Sequence, residues 1–229
     1  MILSEKLAFI KKKIKTAQEK SVYKKPVKII AVTKTHPLSL IKETYNSSVF
    51  SIGENKVQEA ENKFKSFEDM PKIERRFIGH LQSNKVRKCL SLFDTIDTID
   101  SQKLAKKISN IATETDKKVT GLLEINTSEE KQKNGFLLSQ TNEIENCLGL
   151  PNLNILGLMT VGPNTRDIDK LRSSFRKLRE LKELINLKSK KTNLSELSMG
   201  MSGDYEIAVE EGSTMIRLGT ILFGNRGSL

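Results

Sequence analysis

The sequence predicts a single-domain α/β fold, a (β/α)8 TIM barrel, on three observations. Eight short strand-like runs recur along the 229 residues, segments of helical period separate them, and the runs are apolar enough for a parallel sheet covered on its outer side by helices. In order the runs are VKIIAVTK (27–34), SVFSIGEN (48–55), RRFIGHL (75–81), DTIDTID (94–100), VTGLLEIN (119–126), NILGLMTVG (154–162), ELSMGMS (196–202) and MIRLGTILFG (215–224). A chain of this length supports one sizeable core, and no linker or low-complexity tract divides it, so the predicted domain spans 1–229.

The N-terminal stretch MILSEKLAFIKKKIKTAQEK places Leu3, Leu7, Ile10, Ile14 and Ala17 at steps of four and three, which predicts an amphipathic helix with a lysine-rich outer face. NKVQEAENKFKSF follows the second run with helical spacing, and Leu171, Phe175, Leu178 and Leu181 mark another helix before the seventh. Only five residues follow Gly224, so no helix is expected after the eighth strand; the N-terminal helix is expected to cover that part of the barrel.

Composition excludes several function classes. Lys and Arg number 39 against 28 Asp and Glu, a net charge of +11, which raises nucleic acid as a partner. The cations are spread along the chain, Trp is absent and aromatics are 5%, so no stacking platform accompanies the charge and a solvated basic surface is the preferred reading. The N-terminus lacks a signal-peptide apolar core and no run approaches the ~18 residues of a membrane span, so a cytoplasmic protein without membrane association is expected. Cys89 and Cys147 form no C-x-x-C pair and sit near no histidine cluster, so neither a disulfide framework nor a metal site is encoded.

The chemistry begins at Lys34. An ammonium ending an apolar strand shares the alternating face of Ile30 and Val32, and in a barrel the C-terminal strand ends form the functional mouth. A free lysine is neutral in only about one molecule in 2,500 at pH 7; partial desolvation beside another cation lowers its pKa and makes it an amine nucleophile for an aldehyde or ketone. Ser202 and Gly203 precede a short helix, while Gly219 and Thr220 close the eighth run; the last two loops of such barrels commonly hold phosphate. Arg217 lies on the face of Met215 and Gly219, where an inward guanidinium needs an anion or a ring nitrogen. Schiff-base lysine, phosphate site and inward arginine together describe pyridoxal 5′-phosphate.

AVTKTHP, IGENKVQEAENK, FIGHLQSNK, LEINTSEEKQKNGF, GLMTVGP and ELSMGMSGDYEIAVEEGSTMIRLGTILFG resemble, in order and across nearly the whole chain, the pyridoxal phosphate homeostasis protein family, with no departure in these motifs. The resemblance implies a barrel like the N-terminal domain of alanine racemase, with Lys34 as the Schiff-base lysine. It would place Arg217 at the pyridine nitrogen, Ser202, Gly219 and Thr220 at the phosphate, and Asn55 of GEN beside the cofactor. His80 in IGHLQ either lines the pocket or is a satisfied structural imidazole.

An arginine at the ring nitrogen disfavours its protonation and weakens the ring as an electron sink. Racemisation also needs proton carriers on both faces of the substrate carbon, which alanine racemase-like enzymes complete with a tyrosine from an added domain. This chain stops at Leu229, and Tyr23, Tyr45 and Tyr205 offer no obvious partner, although His36 and His80 are expected near the mouth. Three classes therefore stand: a monomeric cofactor holder and regulator passing pyridoxal phosphate to apoenzymes, an amino-acid racemase, and a nucleic-acid binder. The observations weigh toward the first, without dedicated catalysis, in vitamin B6 and amino-acid homeostasis.

Overall fold

Among the described residues nine strands form, eight of which close a parallel barrel. A computed structural model describes residues 2–65, 67–189 and 193–224. The strands are β1 (Lys28–Val32), β2 (Ser51–Glu54), β3 (Glu74–Phe77), β4 (Thr95–Ile99), β5 (Val119–Asn126), β6 (Phe136–Leu137), β7 (Leu153–Met159), β8 (Glu196–Met201) and β9 (Met215–Leu218). Their order is β4-β3-β2-β1-β9-β8-β7-β5, and β4 pairs β5 to close the ring, while the two-residue β6 adds only to the edge of β5.

The helices are α1 (Leu3–Lys20), α2 (Leu38–Asn46), α3 (Val57–Phe64), α4 (Val86–Leu92), α5 (Gln102–Glu114), α6 (Thr141–Glu145), α7 (Ile168–Lys188), α8 (Tyr205–Glu210) and α9 (Thr220–Phe223). Side-chain caps start two of them: Ser101 Oγ accepts from Leu104 N–H before α5, and Asp167 accepts from Asp169 and Lys170 N–H before α7. The five predicted apolar positions of α1 are all buried, as are Leu171, Phe175, Leu178 and Leu181 of α7. Among the described residues no helix is long and apolar enough to cross a membrane.

Two expectations at the end of the chain need correction. The eighth barrel strand stops at Leu218, which makes the last β1–β9 pair with Ala31, and a helix does follow it. Gly219 leaves the strand at φ −120°, ψ −81°, and its carbonyl accepts from Leu222 and Phe223 N–H, both at 2.9 Å, so the chain coils as soon as strand pairing ends. Helix α1 packs on both α8 and α9, and Lys6 Nζ donates to the Leu222 carbonyl at 2.9 Å.

Strand alternation divides the core. Ile52, Phe77, Ile96, Leu123, Leu197 and Ile216 belong to the large outer core under the helices, whereas Ile30, Leu122, Met159 and Met215 form a small separate cluster inside the barrel. Arg76 and Arg217 stand on the inner faces of β3 and β9, an arrangement ordinary close packing of aliphatic layers does not need. Both cysteines are free and buried, and burial pushes their thiols up, Cys89 to about 12 and Cys147 to about 11.

Closure brings backbones close where β7 meets β8. Gly157 pairs with Glu196, and a Cβ on Gly157 would lie 2.0 Å from the Glu196 carbonyl oxygen. Gly157→Ala is expected to cost roughly 2–3 kcal/mol in urea unfolding, since backbone must move to admit it; a cost below about 0.5 kcal/mol would contradict that contact.

Candidate functional site

Parallel strands carry their C-terminal ends to one face, and the sequence-predicted residues gather there. Lys34 lies two residues beyond β1, half-buried, in the turn before α2. Val32 and Gly53 make the last β1–β2 pair, and Lys34 and Asn55 each lie two residues beyond it. On the other side Ile30 pairs with Arg217, so Arg217 lies deeper in the barrel, below Lys34.

Arg217 is 5% exposed and fixed by the barrel wall. Its Nη1 donates to the Ser198 carbonyl at 2.9 Å and to Ser198 Oγ at 2.7 Å, and its Nη2 donates to the Thr160 carbonyl at 2.8 Å. Burial lowers its pKa, opposed by Asp97, Asp204 and Glu124. Beside it Arg76 binds Asp97 through two bonds of 2.8 and 2.9 Å and donates to Glu74 at 2.6 Å. The motif GLMTVGP thereby acquires a role: Thr160 supplies the carbonyl that anchors Arg217, and its hydroxyl donates to the Ile125 carbonyl at 2.7 Å.

Ser202 follows β8, and Gly219 follows β9. The amides of Gly219 and Ile221 donate to Ser202 Oγ at 3.4 and 3.3 Å, which holds the two loops together around one hydroxyl. Thr220 is not the end of a strand, as expected, but the exposed first residue of α9.

Asn55 carries a buried Oδ1 with no hydrogen-bond partner among the described residues. His80 lies three residues past β3 in a loop, with its side chain 56% exposed and its Nδ1 3.0 Å from Asp100 Oδ2. The imidazole pairs with Asp100 and lines a cavity of about 140 Å³ together with Asn55, Lys56 and Gln58. Gly79 permits this approach, since a Cβ there would lie 2.2 Å from the Asn55 carbonyl oxygen. His36, expected near the mouth, is buried against the Phe223 ring of α9 at 4.9 Å. A larger cavity, about 580 Å³, lies at the opposite end of the barrel beside Lys28, Ser51 and Glu74, the first residues of β1, β2 and β3, and holds none of the predicted residues.

The matching family model is that of the alanine racemase N-terminal domain, over residues 6–227. The chain is 39% identical over 200 residues to the pyridoxal phosphate homeostasis protein of Aquifex aeolicus, covering 87% of each. With its namesake from Haemophilus influenzae the identity is 37% over 232 residues, covering 99% of this chain and 97% of that one. The chain belongs to the pyridoxal phosphate homeostasis protein family. The structure of PipY from Synechococcus elongatus with PLP bound superposes with a TM-score of 0.86 at 33% identity, covering 97% of this chain and 100% of that one. Alanine racemase of Clostridium difficile, at 16% identity and a TM-score of 0.77, shares the fold alone.

One titratable group at the mouth escaped the sequence reading. Glu124 follows Leu122 on the inner face of β5, and alternation within VTGLLEIN was the available signal. Burial pushes its carboxyl up to about 7, Asp100 adds to this, and Arg217 and His80 oppose it. A carboxyl raised in the fold contributes stability below its unfolded pKa and loses it as pH rises through about 7. Without added ligand, Glu124→Gln should therefore exceed wild type in stability by roughly 2–3 kcal/mol at about pH 8, the gain vanishing toward pH 4. A pH-independent difference in urea unfolding would contradict the raised pKa.

Proposed function

We propose that this protein binds pyridoxal 5′-phosphate in the barrel mouth, with the Lys34 amine holding it as a Schiff base, and acts in cytoplasmic vitamin B6 and amino-acid homeostasis by holding and releasing the cofactor. The observation that supports this most directly is the placement of Lys34 and Asn55, each two residues beyond the last β1–β2 pair, above a buried, wall-anchored Arg217. The residues present fit the group. Asn55 Oδ1 is an acceptor with no hydrogen-bond partner among the described residues, and Ser202 with the amides of Gly219 and Ile221 and the Thr220 hydroxyl offers donors for a phosphate. His80, held by Asp100, lines the approach beside Asn55.

When bound, the cofactor supplies an aldehyde for condensation with amines and an electron-withdrawing ring. Arg217 is a donor-only cation, so beside the ring nitrogen it keeps a proton off that atom and leaves the ring a weak electron sink. That favours retention over turnover, with apoenzymes as recipients. A second reading, amino-acid racemisation, is favoured by one observation: Glu124, with its carboxyl near 7, is suited to carry a proton at the mouth. With the Lys34 amine it would make up the two carriers racemisation needs, and what weighs against this reading is the weak electron sink beside Arg217.

Ser202→Ala combined with Thr220→Val should weaken retention of pyridoxal 5′-phosphate by roughly a hundredfold while changing that of unphosphorylated pyridoxal little, because each bond to a charged acceptor is worth ~1.5–3 kcal/mol. Equal losses for both ligands would remove these hydroxyls from the phosphate.

Loaded protein should reactivate a pyridoxal phosphate-dependent apoenzyme while exchanging α-protons of L-amino acids negligibly in heavy water. Arg217→Glu, where it still binds cofactor, should exchange them faster. Wild-type turnover of ~1 per second or more would favour the racemase instead.

A further inference from the structure

The turn carrying Lys34 is gripped from behind the barrel wall. Thr35, next to Lys34, has φ of 67°, a left-handed conformation that a β-branched residue holds only under constraint. The constraint comes from α3 and the end of β2. Lys63 Nζ donates to the Thr33 carbonyl at 2.9 Å, to Glu54 Oε1 at 2.9 Å and to Glu59 Oε1 at 2.6 Å, which uses all three of its protons. The Thr35 amide donates to the same Glu59 oxygen at 2.5 Å, and Thr33 Oγ1 donates to Glu54 Oε1 at 2.7 Å.

The Thr33 carbonyl belongs to the peptide plane before Lys34, and the Thr35 amide to the plane after it. Both planes that meet at the Lys34 Cα are therefore held by one ionic cluster, which leaves its φ and ψ little freedom. Continued through Thr33, strand alternation turns Lys34 inward and Thr33 outward toward that cluster.

From this geometry we infer that Lys63, Glu59 and Glu54 are positioning residues that aim the Lys34 amine across the barrel mouth. The inference rests on the Lys34 reading above. It also gives a purpose beyond an ordinary i,i+4 helix pair to Glu59 and Lys63 of GENKVQEAENK, and one to Glu54, the last residue of β2. The cluster is deep: the Glu54 side chain is 0% exposed and that of Lys63 12%, and Glu54 Oε2 has no hydrogen-bond partner among the described residues. Burial raises the Glu54 pKa against Thr33 and Lys63, whereas in Glu59 the bonds from Lys63 and Thr35 outweigh burial and lower it.

The test separates aim from shape by using two ligands with the same ring and phosphate. Pyridoxal 5′-phosphate has the aldehyde that Lys34 would capture; pyridoxine 5′-phosphate has an alcohol there. Glu59→Ala should weaken pyridoxal 5′-phosphate binding roughly tenfold, as small misplacement of a reacting group does, and shift the absorption of the bound chromophore. Pyridoxine 5′-phosphate affinity should change less than about twofold, and Glu59→Gln, which keeps an oxygen for the Thr35 amide, should recover most of the loss. If Glu59→Ala does not fold, the neutral pair Glu54→Gln with Lys63→Met takes its place, with the same contrast expected. Equal weakening of both ligands, or of neither, overturns the inference. A wild-type protein that binds the two phosphates equally would instead sink the Lys34 reading on which it stands.

Discussion

A guanidinium inside a barrel is the constraint around which the rest is arranged. Arg217 sits where an apolar layer would otherwise pack, so its charge must be answered by protein groups. Ser198 on β8 and Thr160 just past β7 accept its hydrogen bonds, and Asp97, Asp204 and Glu124 supply negative charge around it. Asp97 in turn binds Arg76, which reaches Glu74 and through it Ser51 and Lys28. A polar chain thus runs from beneath the mouth, alongside the apolar cluster of Ile30, Leu122, Met159 and Met215, to the opposite end of the barrel, and it leaves the mouth with a fixed cation beneath Lys34.

That arrangement bears on the choice between holding a cofactor and using it. A wall-anchored arginine cannot take a proton, and the one carboxyl that burial pushes up to about 7, Glu124, stands to one side of it with Asp100 and His80 nearby. Holding needs an amine, a phosphate site and a rigid frame. The frame is visible in the structure, from the Ser202 hydroxyl that joins two loops to the ionic cluster behind Lys34.

Much of this was legible in the chain. Eight runs gave eight barrel strands, and the five apolar positions of α1 are the five it buries. The positions of Lys34, Arg217, Ser202 and Gly219 at or beside strand ends were readable because strand ends and alternation place residues without reference to distant partners, whereas Asn55 came from the family resemblance. What could not be read depended on such partners. The stop at Leu218 is set by where β1 stops pairing, and the burial of His36 by Phe223 of a helix that length alone had ruled out. Glu54, Glu59 and Lys63 look like ordinary helix-flanking charges until the turn at Lys34 is folded over them. Glu124 was readable by alternation, but its raised pKa needed Asp100 in place beside a buried wall.

The account stands or falls on which amine holds the cofactor. Protein incubated with pyridoxal 5′-phosphate, reduced with borohydride and digested should yield one pyridoxyl-modified peptide, with the added mass on Lys34. Modification concentrated on any other lysine, with Lys34 unmodified, would contradict it.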